Sequence, residues 1–424
     1  RIQDQFSTLS TMVQENLTGM RIVRAYVQER TQARDFDELN REYMERNMSL
    51  VKMAGLFHPI LALFSGTGMV IVLWLGSLEV IAGQITLGAF VAFGIYVALL
   101  VWPLIALGWV VNLFQRGAAS MARLNKIFDT EPSIRAPEAP AHVLRPRGHV
   151  EFSNVSFRYP GTDRLVLEDV SFSAEPGETV AIVGPTGSGK TTLISLIPRV
   201  YDVTSGCVSV DGVDVSTLDP KELRALIGFV PQDPFLFSAT IEENIGLGLS
   251  GDEWSREERQ THDAPEGPME DPDEVVAEAA RVAQLHESIQ GFPQGWKTVL
   301  GERGINLSGG QKQRATLARA VARDPKILIL DDALSAVDTH TEAHILEDLG
   351  KVMAGRTSFI ISHRVSAVMN ADLILVLDNG RIVERGRHAD LMSRASTYAT
   401  LLRRQMLEED LEASLAPHSG TSLG

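Results

Sequence analysis

The sequence predicts two structural classes in one chain of 424 residues: an α-helical transmembrane segment, then an α/β domain with a mostly parallel sheet and a helical subdomain. Three observations carry this prediction. Two long stretches in the N-terminal part contain no Asp, Glu, Lys or Arg. A proline-rich segment follows them. Beyond it, short β-rich runs alternate with helical ones, which is typical of an α/β domain.

Residues 1–52 are polar, with apolar side chains at helical spacing that begin with Phe6, Leu9 and Met12. This rhythm predicts one long helix with a single apolar stripe. Taken alone, the segment favours a soluble helical bundle, and only the residues that follow change this interpretation. The chain starts at Arg1, within the pattern and without an initiator Met, so we interpret it as an N-terminally truncated or processed chain.

The two uncharged stretches, 53–78 and 80–115, each exceed the roughly 20 apolar residues that cross a bilayer core. They predict membrane spans at about 53–78 and 85–115, joined by a tight extracytoplasmic turn near Gly83. The alternative is a buried hairpin of a soluble protein. Two spans cannot enclose a transport path, so we expect further helices from the missing N-terminus or from a partner. Basic residues flank both outer ends and place them in the cytoplasm: Arg46, Lys52, Arg116, Arg123 and Lys126.

These patterns divide the chain into four parts. Residues 1–128 form the transmembrane part, 129–147 a proline-rich linker, 148–403 the α/β domain and 404–424 a C-terminal tail that ends in an expected disordered segment. Apolar runs predict strands at 150–157, 166–172, 179–183, 226–230, 327–330, 358–361 and 373–377.

Charge and cysteine content exclude some function classes. The net charge is −15, and much of the acidic excess lies between Asp252 and Glu278. This run overlaps an acidic insert at about 249–271, which we interpret as a solvated loop. No basic cluster offsets it, so nucleic acid is not an expected partner. The single cysteine, Cys207, excludes an internal disulfide framework and fits a reducing, cytosol-facing domain as a small buried hydrophobe.

A phosphate-binding loop follows the predicted strand 179–183, and a predicted helix, 193–197, follows the loop. Its glycines let successive backbone N–H groups and a helix N-terminus face an anion. Lys190 can bridge the β- and γ-phosphates of a nucleotide, and the Thr191 hydroxyl can bind Mg²⁺. The full run is Gly184-Pro185-Thr186-Gly187-Ser188-Gly189-Lys190-Thr191-Thr192.

Asp331 ends the apolar run Ile327-Leu328-Ile329-Leu330. A carboxylate at the end of a buried strand beside a phosphate loop suits a Mg²⁺ ligand. An Asp that caps the next helix is the common alternative for an isolated residue of this kind. Beside a complete phosphate loop we favour the metal ligand.

Further motifs resemble those of ABC exporters of the type IV class, which includes multidrug and lipid exporters. The signature is Leu307-Ser308-Gly309-Gly310-Gln311, and Lys312-Gln313-Arg314 follows it. The resemblance is most specific over about 148–403. Weaker similarities at 15–21 and 114–117 resemble the second cytoplasmic loop and the end of the sixth transmembrane helix. The other motifs are Phe229-Val230-Pro231-Gln232, Ser335-Ala336-Val337-Asp338 and Ile361-Ser362-His363-Arg364.

The resemblance implies roles for individual residues at the chain's own nucleotide. Tyr159 would stack on the adenine of ATP, with Val166 nearby; a core or edge-strand tyrosine is the alternative. Gln232 would complete the Mg²⁺ shell with Thr191 and Asp331 and sense the γ-phosphate. His363 would hydrogen-bond that phosphate. As isolated residues, this glutamine and this histidine would have no such assignment.

The resemblance also implies a second nucleotide, held by a partner domain. Ser308, Gly309 and Gly310 would begin a helix and offer backbone N–H groups to its γ-phosphate. ATP would then join two domains, with Asp338 at their interface.

One departure from the family pattern follows Asp331. Most members place Glu there to orient or deprotonate the attacking water, whereas this chain has Asp332. Asp keeps the charge but is one methylene shorter, and a displacement of roughly an ångström can lower a rate by ~10²-fold. ATP binding should survive. The alternative is that Asp332 substitutes fully, with a slightly shifted water.

The resemblance therefore implies an ATP-driven exporter subunit in the plasma or inner membrane, with its ATPase domain in the cytoplasm and ATP and Mg²⁺ as ligands. We expect a heterodimer in which this half binds ATP at a slow site and lends its signature to a partner half-transporter. The expected cargo is amphiphilic or hydrophobic, drug-like or lipid-like, within membrane lipid. Alternatives are a peptide exporter, a homodimer with a slow ATPase, a regulatory subunit without useful turnover, and a soluble ABC ATPase of DNA repair or translation.

Overall fold

The structure is a computed structural model that describes residues 2–249, 272–301, 304, 306–362, 364–394 and 396–415. The chain divides into two compact units, Arg1–Glu131 and Pro132–Gly424. The boundary between them along the chain falls inside the predicted linker 129–147. Almost all of the acidic insert, together with His363 and residues 417–424 of the tail, lies outside the described residues.

The first unit is helical. Its helices are α1 (Ile2–Thr18), α2 (Met20–Ala25), α3 (Glu29–Ile81) and α4 (Leu87–Phe128). The prediction of one helix over 1–52 is wrong, because the chain breaks twice there. Gly19, a poor helix former, separates α1 from α2, and Val27 adopts a left-handed backbone with φ of 53° between α2 and α3.

Helices α3 and α4 are each long and apolar enough to cross a membrane, and the apolar window of each is exposed on the described structure. Helix α3 extends beyond the predicted span 53–78 in both directions, whereas α4 begins two residues inside the predicted span 85–115 and extends past its C-terminal end. The connection is short, with Gly83 at a φ of 72°. Thr86 begins α4 by accepting a hydrogen bond from the Ala89 backbone N–H at 3.2 Å.

The second unit contains a four-stranded antiparallel sheet. Its strands are β1 (Val150–Phe157), β2 (Leu167–Ala174), β4 (Ser205–Val210) and β5 (Val213–Asp214), in the order β2-β1-β4-β5. Phe152 stacks on Phe172 at 4.6 Å between ring centroids, and both are buried. This sheet encloses the core that it shares with the second sheet.

The second sheet has six strands. They are β3 (Thr179–Val183), β6 (Ile227–Val230), β7 (Ile327–Asp331), β8 (Thr357–Ile361), β9 (Leu373–Asp378) and β10 (Arg381–Gly386). Their order in the sheet is β10-β9-β3-β8-β7-β6, and all neighbours are parallel except β9 and β10. Parallel strands place their carboxyl ends at one edge, so the residues after β3, β7 and β8 meet there.

Short and medium helices surround the second sheet. They are α5 (Lys190–Ser195), α6 (Pro220–Ala225), α7 (Ile241–Gly246), α8 (Pro272–Val282), α9 (His286–Gln290), α10 (Gly309–Ala322), α11 (Thr339–Met353), α12 (Val365–Val368), α13 (His388–Met392) and α14 (Thr397–Leu415). A second apolar core joins α7, α8, α10 and α11 to one face of strands β6, β7 and β8. A third lies between β9 and the two C-terminal helices.

All seven predicted strands are present, and their ends match the prediction or differ from it by at most two residues. The sequence interpretation missed β4, β5 and β10. Strand β4 begins with two exposed residues, β5 has only two residues, and β10 alternates between exposed and half-buried residues. The phosphate-loop helix was predicted at 193–197 but begins three residues earlier, at Lys190. The domain end predicted at residue 403 falls inside α14, which runs on to Leu415.

Candidate nucleotide-binding site

A cavity of about 290 Å³ lies at the carboxyl edge of the parallel sheet. Four strand ends contribute to it. They are the loop after β3, Gln232 two residues after β6, Asp331 and Asp332 at the end of β7, and Ile361 at the end of β8. The register pairs Asp331 with Ile361 across β7 and β8. The lining residues are Val166, Thr186, Gly187, Gly189, Lys190, Thr191, Thr192, Gln232, Asp331, Asp332 and Ile361.

The phosphate loop needs its glycines for two different reasons. Gly187 and Gly189 have φ of 80° and 103°, in the left-handed region that favours glycine. Gly184 has a φ of 153°, and a Cβ there would lie 2.0 Å from the Leu377 carbonyl oxygen. One side of the loop therefore packs tightly against β9, and other residues of the loop line the cavity.

Lys190 is buried at the start of α5, with 8 % of its surface exposed. Its Nζ donates hydrogen bonds to the carbonyl oxygens of Gly184 at 2.9 Å and Pro185 at 3.0 Å. Burial lowers the pKa of Lys190, while the carboxylates of Asp331 and Asp332 act in the opposite direction. The ammonium group is thus held inside the loop, where phosphate oxygens can replace the two carbonyl oxygens as its hydrogen-bond acceptors.

Ser188 provides an observation that fits a bound phosphate. Its hydroxyl oxygen is fully buried and has no hydrogen-bond partner among the described residues. A buried hydroxyl without a partner costs free energy. A phosphate oxygen held by the curled loop would accept from this hydroxyl and from nearby backbone N–H groups. The residues present therefore fit the phosphates of a nucleotide.

The oxygen donors of the cavity fit Mg²⁺ bound together with a nucleotide. Asp331 is 2 % exposed, and the Thr191 hydroxyl and Gln232 amide line the same space. The described residues contain no cluster of three His, Cys, Asp or Glu side chains that could hold a metal ion. Mg²⁺ commonly takes one or two carboxylates and completes its shell with phosphate oxygens and waters, and this donor set suits that mode.

Asp332 lines the cavity beside Asp331, as the sequence predicts. Its backbone is left-handed, with φ of 49°, and its N–H donates to the Ile361 carbonyl at 2.8 Å. Asp tolerates this conformation better than most residues do. The chain is thus anchored to β8 at the residue whose carboxylate faces the nucleotide space.

Tyr159 lies beside the cavity rather than in its wall. Its hydroxyl is hydrogen-bonded to the Thr192 hydroxyl at 2.9 Å. Edge-to-face contacts join its ring to Phe157 at 5.1 Å and to Tyr201 at 5.3 Å. The ring is therefore held at the α5 end of the cavity, next to the lining residue Thr192.

The comparisons with known proteins agree with this geometry. Residues 167–335 match the family model described as "ABC transporter", and residues 1–104 match "ABC transporter transmembrane region". A solved bacterial Atm1-family ABC exporter with ATP bound superposes with a TM-score of 0.81 at 34 % identity, over 96 % of this chain and 68 % of that one. The chain belongs to the ABC transporter family.

Two curated relatives of this ABC transporter chain carry informative names. A probable multidrug resistance ABC transporter ATP-binding/permease protein of Bacillus subtilis is 40 % identical over 96 % of this chain and 66 % of its own length. An ATP-dependent lipid A-core flippase of Syntrophus aciditrophicus is 37 % identical over 96 % of the chain and 65 % of its own length. The chain spans about two thirds of these relatives. The predicted fold class and the prediction of an ABC-type ATPase domain are confirmed.

The ABC signature lies away from this cavity, because none of Leu307-Ser308-Gly309-Gly310-Gln311 lines it. Ser308 caps α10: its hydroxyl accepts from the Gln311 N–H at 3.3 Å, and the Gln311 side chain accepts from the Ser308 N–H at 2.9 Å. Ser308 and Gly309 are exposed. The signature of this ABC domain therefore begins a helix, as predicted, and forms no part of the wall of the chain's own nucleotide cavity.

Asp338 also lies outside the cavity wall and is exposed. Its carboxylate accepts a hydrogen bond from the Thr341 N–H at 2.9 Å and caps α11. Hydrogen bonds from the backbone and side chain of Thr341 lower the pKa of Asp338, with a smaller contribution from the charge of Arg314. The carboxylate is therefore ionised and fixed in direction.

Two features of the site were missed by sequence reasoning. Ile361 contributes to the cavity wall, and the turn Asn379-Gly380 supports the phosphate loop from behind. The Gly380 N–H donates to the Ser188 carbonyl at 3.1 Å, and a Cβ at Gly380 would lie 2.3 Å from the Val166 carbonyl. An Asn-Gly pair between apolar runs is a strong hairpin signal that was available in the sequence.

Proposed function

We propose that this chain is the ATP-binding and membrane-spanning subunit of an ATP-driven exporter that moves drug-like or lipid-like amphiphiles out of the cytoplasm. One observation carries the proposal. A single chain joins a phosphate-binding cavity that contains Lys190 and Asp331 to two exposed apolar helices of membrane length. The names of the multidrug and flippase relatives support the cargo class.

In this proposal each cavity residue has a defined task. Lys190 and the phosphate-loop backbone bind the phosphates, and Tyr159 stacks on the base with Val166 beside it. Thr191, Gln232 and Asp331 hold Mg²⁺, which neutralises charge on the phosphates when it is bound. Asp332 and Gln232 face the position of the attacking water, and His363 completes the set. ATP binding closes two such domains, and helix α2 and its neighbours relay the closure to the membrane part.

The cellular arrangement follows from the charged ends of the membrane helices. The basic residues before and after the spans support an ATPase domain on the cytoplasmic side. The plasma or inner membrane is proposed from the resemblance to exporters. The uncharged interior of 53–78 and 80–115 suits a cargo with apolar surface better than a small ion.

We further propose that the chain works as half of a heterodimer with unequal ATP sites. Two points support this. Asp332 stands where the family pattern has Glu, and the intact signature is not part of the wall of this cavity. The partner would supply Glu at its own site and use Ser308 to Gly310 of this chain. A homodimer with a slow ATPase is the second candidate, because this chain carries both a phosphate loop and a signature and could pair with its own copy.

The test of export uses the full-length transporter in membrane vesicles, with Lys190→Ala as the decisive variant. ATP-dependent uptake of a hydrophobic dye into inverted vesicles and ATP hydrolysis should both fall to background. Lys221→Ala, at an exposed lysine on α6, is the matched control and should leave both unchanged. Dye transport that survives Lys190→Ala would contradict the proposal.

The heterodimer proposal needs a separate test. The transporter should be purified from its native membrane through a tag on this chain, and the copurifying half-transporter identified. We expect a second ABC chain with Glu after its Mg²⁺-binding Asp. Recovery of this chain as an active pair with itself would support the homodimer instead.

A further inference from the structure

The loop of residues 332–338, here called the connecting loop, joins two different functional positions. Its first residue, Asp332, lines the chain's own nucleotide cavity. Its last residue, Asp338, begins α11. Between them, the loop packs against the signature: a Cβ at Gly310 would lie 2.8 Å from the Ala336 carbonyl oxygen, and one at Gly309 would lie 3.4 Å from the Ala336 Cβ. The loop therefore touches both the chain's own site and the signature.

Gln313 fixes the connecting loop from the side of the signature helix. It is 3 % exposed, three residues after Gly310 on α10. Its Nε2 donates to the Ser335 hydroxyl at 2.8 Å, and its Oε1 accepts from the Ala336 N–H at 2.8 Å. One buried amide thus holds two consecutive residues of the loop. Buried hydrogen bonds of this kind fix a single arrangement, because leaving the groups unpaired is costly.

Arg364, which follows β8, also contacts the connecting loop. It follows His363 after β8, and its guanidinium donates to the Val337 carbonyl at 3.0 Å and the Ser335 carbonyl at 3.4 Å. The same side chain forms an ion pair with the buried Glu342 on α11. A planar guanidinium can make all three contacts at once, which an ammonium cannot do with the same geometry.

We propose that Gln313 and Arg364 are positioning residues that make the connecting loop and the signature one mechanical unit. These two residues fix two orientations together. One is that of Asp332 at this chain's nucleotide, and the other is that of the signature at the second nucleotide. Neither residue lines the cavity, so each acts through the loop. The inference rests on the proposed function, since it requires two ATP sites that are used in one cycle.

The test uses the full transporter with Gln313→Met, which keeps the side-chain volume and removes both hydrogen bonds. We expect the maximal rate of ATP hydrolysis to fall between about 10-fold and about 100-fold, since a misplacement of about an ångström has effects of this size. The affinity for ATP at the phosphate loop should change less than about 2-fold, because the cavity wall is untouched. Gln313→Glu should restore much of the rate, since a carboxylate can accept from both Ser335 and Ala336.

One control and one further variant separate positioning from general damage. The control, Thr316→Val, alters a buried polar residue on the same helix, whose hydroxyl has one hydrogen bond among the described residues, to the Lys312 carbonyl. It should leave hydrolysis unchanged. Arg364→Lys keeps a positive charge next to Glu342 but weakens the bonds to the loop, so it should lower the maximal rate as Gln313→Met does, without loss of ATP affinity.

A double-mutant cycle tests whether Gln313 and Asp332 act through the same loop. If they do, the fold loss of hydrolysis in the double variant Gln313→Met, Asp332→Asn will be smaller than the product of the two single losses, because each substitution disturbs the same unit. Effects that multiply independently, or a Gln313→Met variant with the parental rate, would overturn the inference. Failure of the proposed function is distinguishable, since hydrolysis would then survive Lys190→Ala.

Discussion

The hydroxyl groups of Tyr159 and Thr192 lie 2.9 Å apart and are hydrogen-bonded. This contact joins the residue that we expect to stack on adenine to α5, the helix that begins with Lys190. Tyr201 supports the tyrosine ring edge-on at 5.3 Å. In the proposed site, this hydrogen bond links base recognition to phosphate recognition, and substitutions can separate the two.

Tyr159→Ala should weaken ATP binding by about 1–3 kcal/mol, the usual loss when an aromatic platform for a base is removed. Tyr159→Phe should cost much less, because the ring remains and only the 2.9 Å hydrogen bond is lost. Isothermal titration with ATP measures both. Inorganic triphosphate is the control ligand, and its affinity should be the same for all three proteins. An equal loss for triphosphate would show that Tyr159 acts on the phosphates instead.

Gly380→Ala should destabilise the ATPase domain and weaken ATP binding. Gly380 has a φ of 79°, where a side chain costs about 1–2 kcal/mol. In addition, its Cβ would lie 2.3 Å from the Val166 carbonyl and push a cavity residue. Thermal unfolding of the purified transporter measures the first effect and nucleotide titration the second.

Gly212→Ala is the matched control for this substitution. Gly212 also has a φ of 79° in a hairpin turn, but a Cβ there would meet no atom within 4 Å. It should show only the backbone cost and leave ATP affinity unchanged. If both variants lowered the unfolding temperature equally and neither affected ATP, the contact with Val166 would be irrelevant to the site.

Much of the site could be predicted from local sequence. The phosphate loop is a continuous run whose glycines, lysine and threonines act within nine residues, so its geometry is encoded locally. Asp331 follows an apolar strand, and a strand that ends at the sheet edge places its last residue at the site. The sequence also predicts strands β3, β7, β8 and β9, because each is a short apolar run that can be recognised locally.

Other parts depend on contacts that no local pattern shows. Gln313 and Ser335 are 22 residues apart, and their hydrogen bond exists only in the folded domain. Strand β10 alternates between half-buried and exposed residues, and only the Asn-Gly turn before it announced a hairpin. The helix breaks at Gly19 and Val27 were hidden because the apolar rhythm continues across both positions.

Cys207 is expected to be a slow nucleophile at neutral pH. It is half-buried on β4, not the fully buried residue expected from the sequence. Burial, followed by a hydrogen bond and the charge of Asp214, raises the pKa of the Cys207 thiol to about 11. Because the thiolate reacts, the rate with a thiol reagent should rise tenfold per pH unit and level off only near pH 11.

Asp214→Asn tests the cause of this shift. Removing the carboxylate removes an anion that disfavours the thiolate, so the pKa of Cys207 should fall and its reaction at pH 8 should become faster. Glu178→Gln, at a carboxylate that is not among the causes of the shift, is the control and should not change the rate. A parental thiol that already reacts at full rate at pH 8 would contradict the assignment.

Asp332→Glu should raise the rate of ATP hydrolysis at this chain's own site. The longer side chain returns the carboxylate to the position that most family members use, and correcting a displacement of roughly an ångström can raise a rate by up to ~10²-fold. The left-handed backbone at Asp332, φ of 49°, suits Asp better than Glu, so a small loss of stability should accompany the gain.

Asp332→Asn is the control for this substitution. It removes the charge and should lower the rate further. ATP affinity should stay within about 2-fold in both variants, because Lys190 and Asp331 are unchanged. Single-turnover hydrolysis, with the partner's site inactivated by substitution of its phosphate-loop lysine, isolates the site of this chain. A rate that is the same with Asp and Glu would show that Asp332 already positions the water, and the unequal-site proposal would lose its main support.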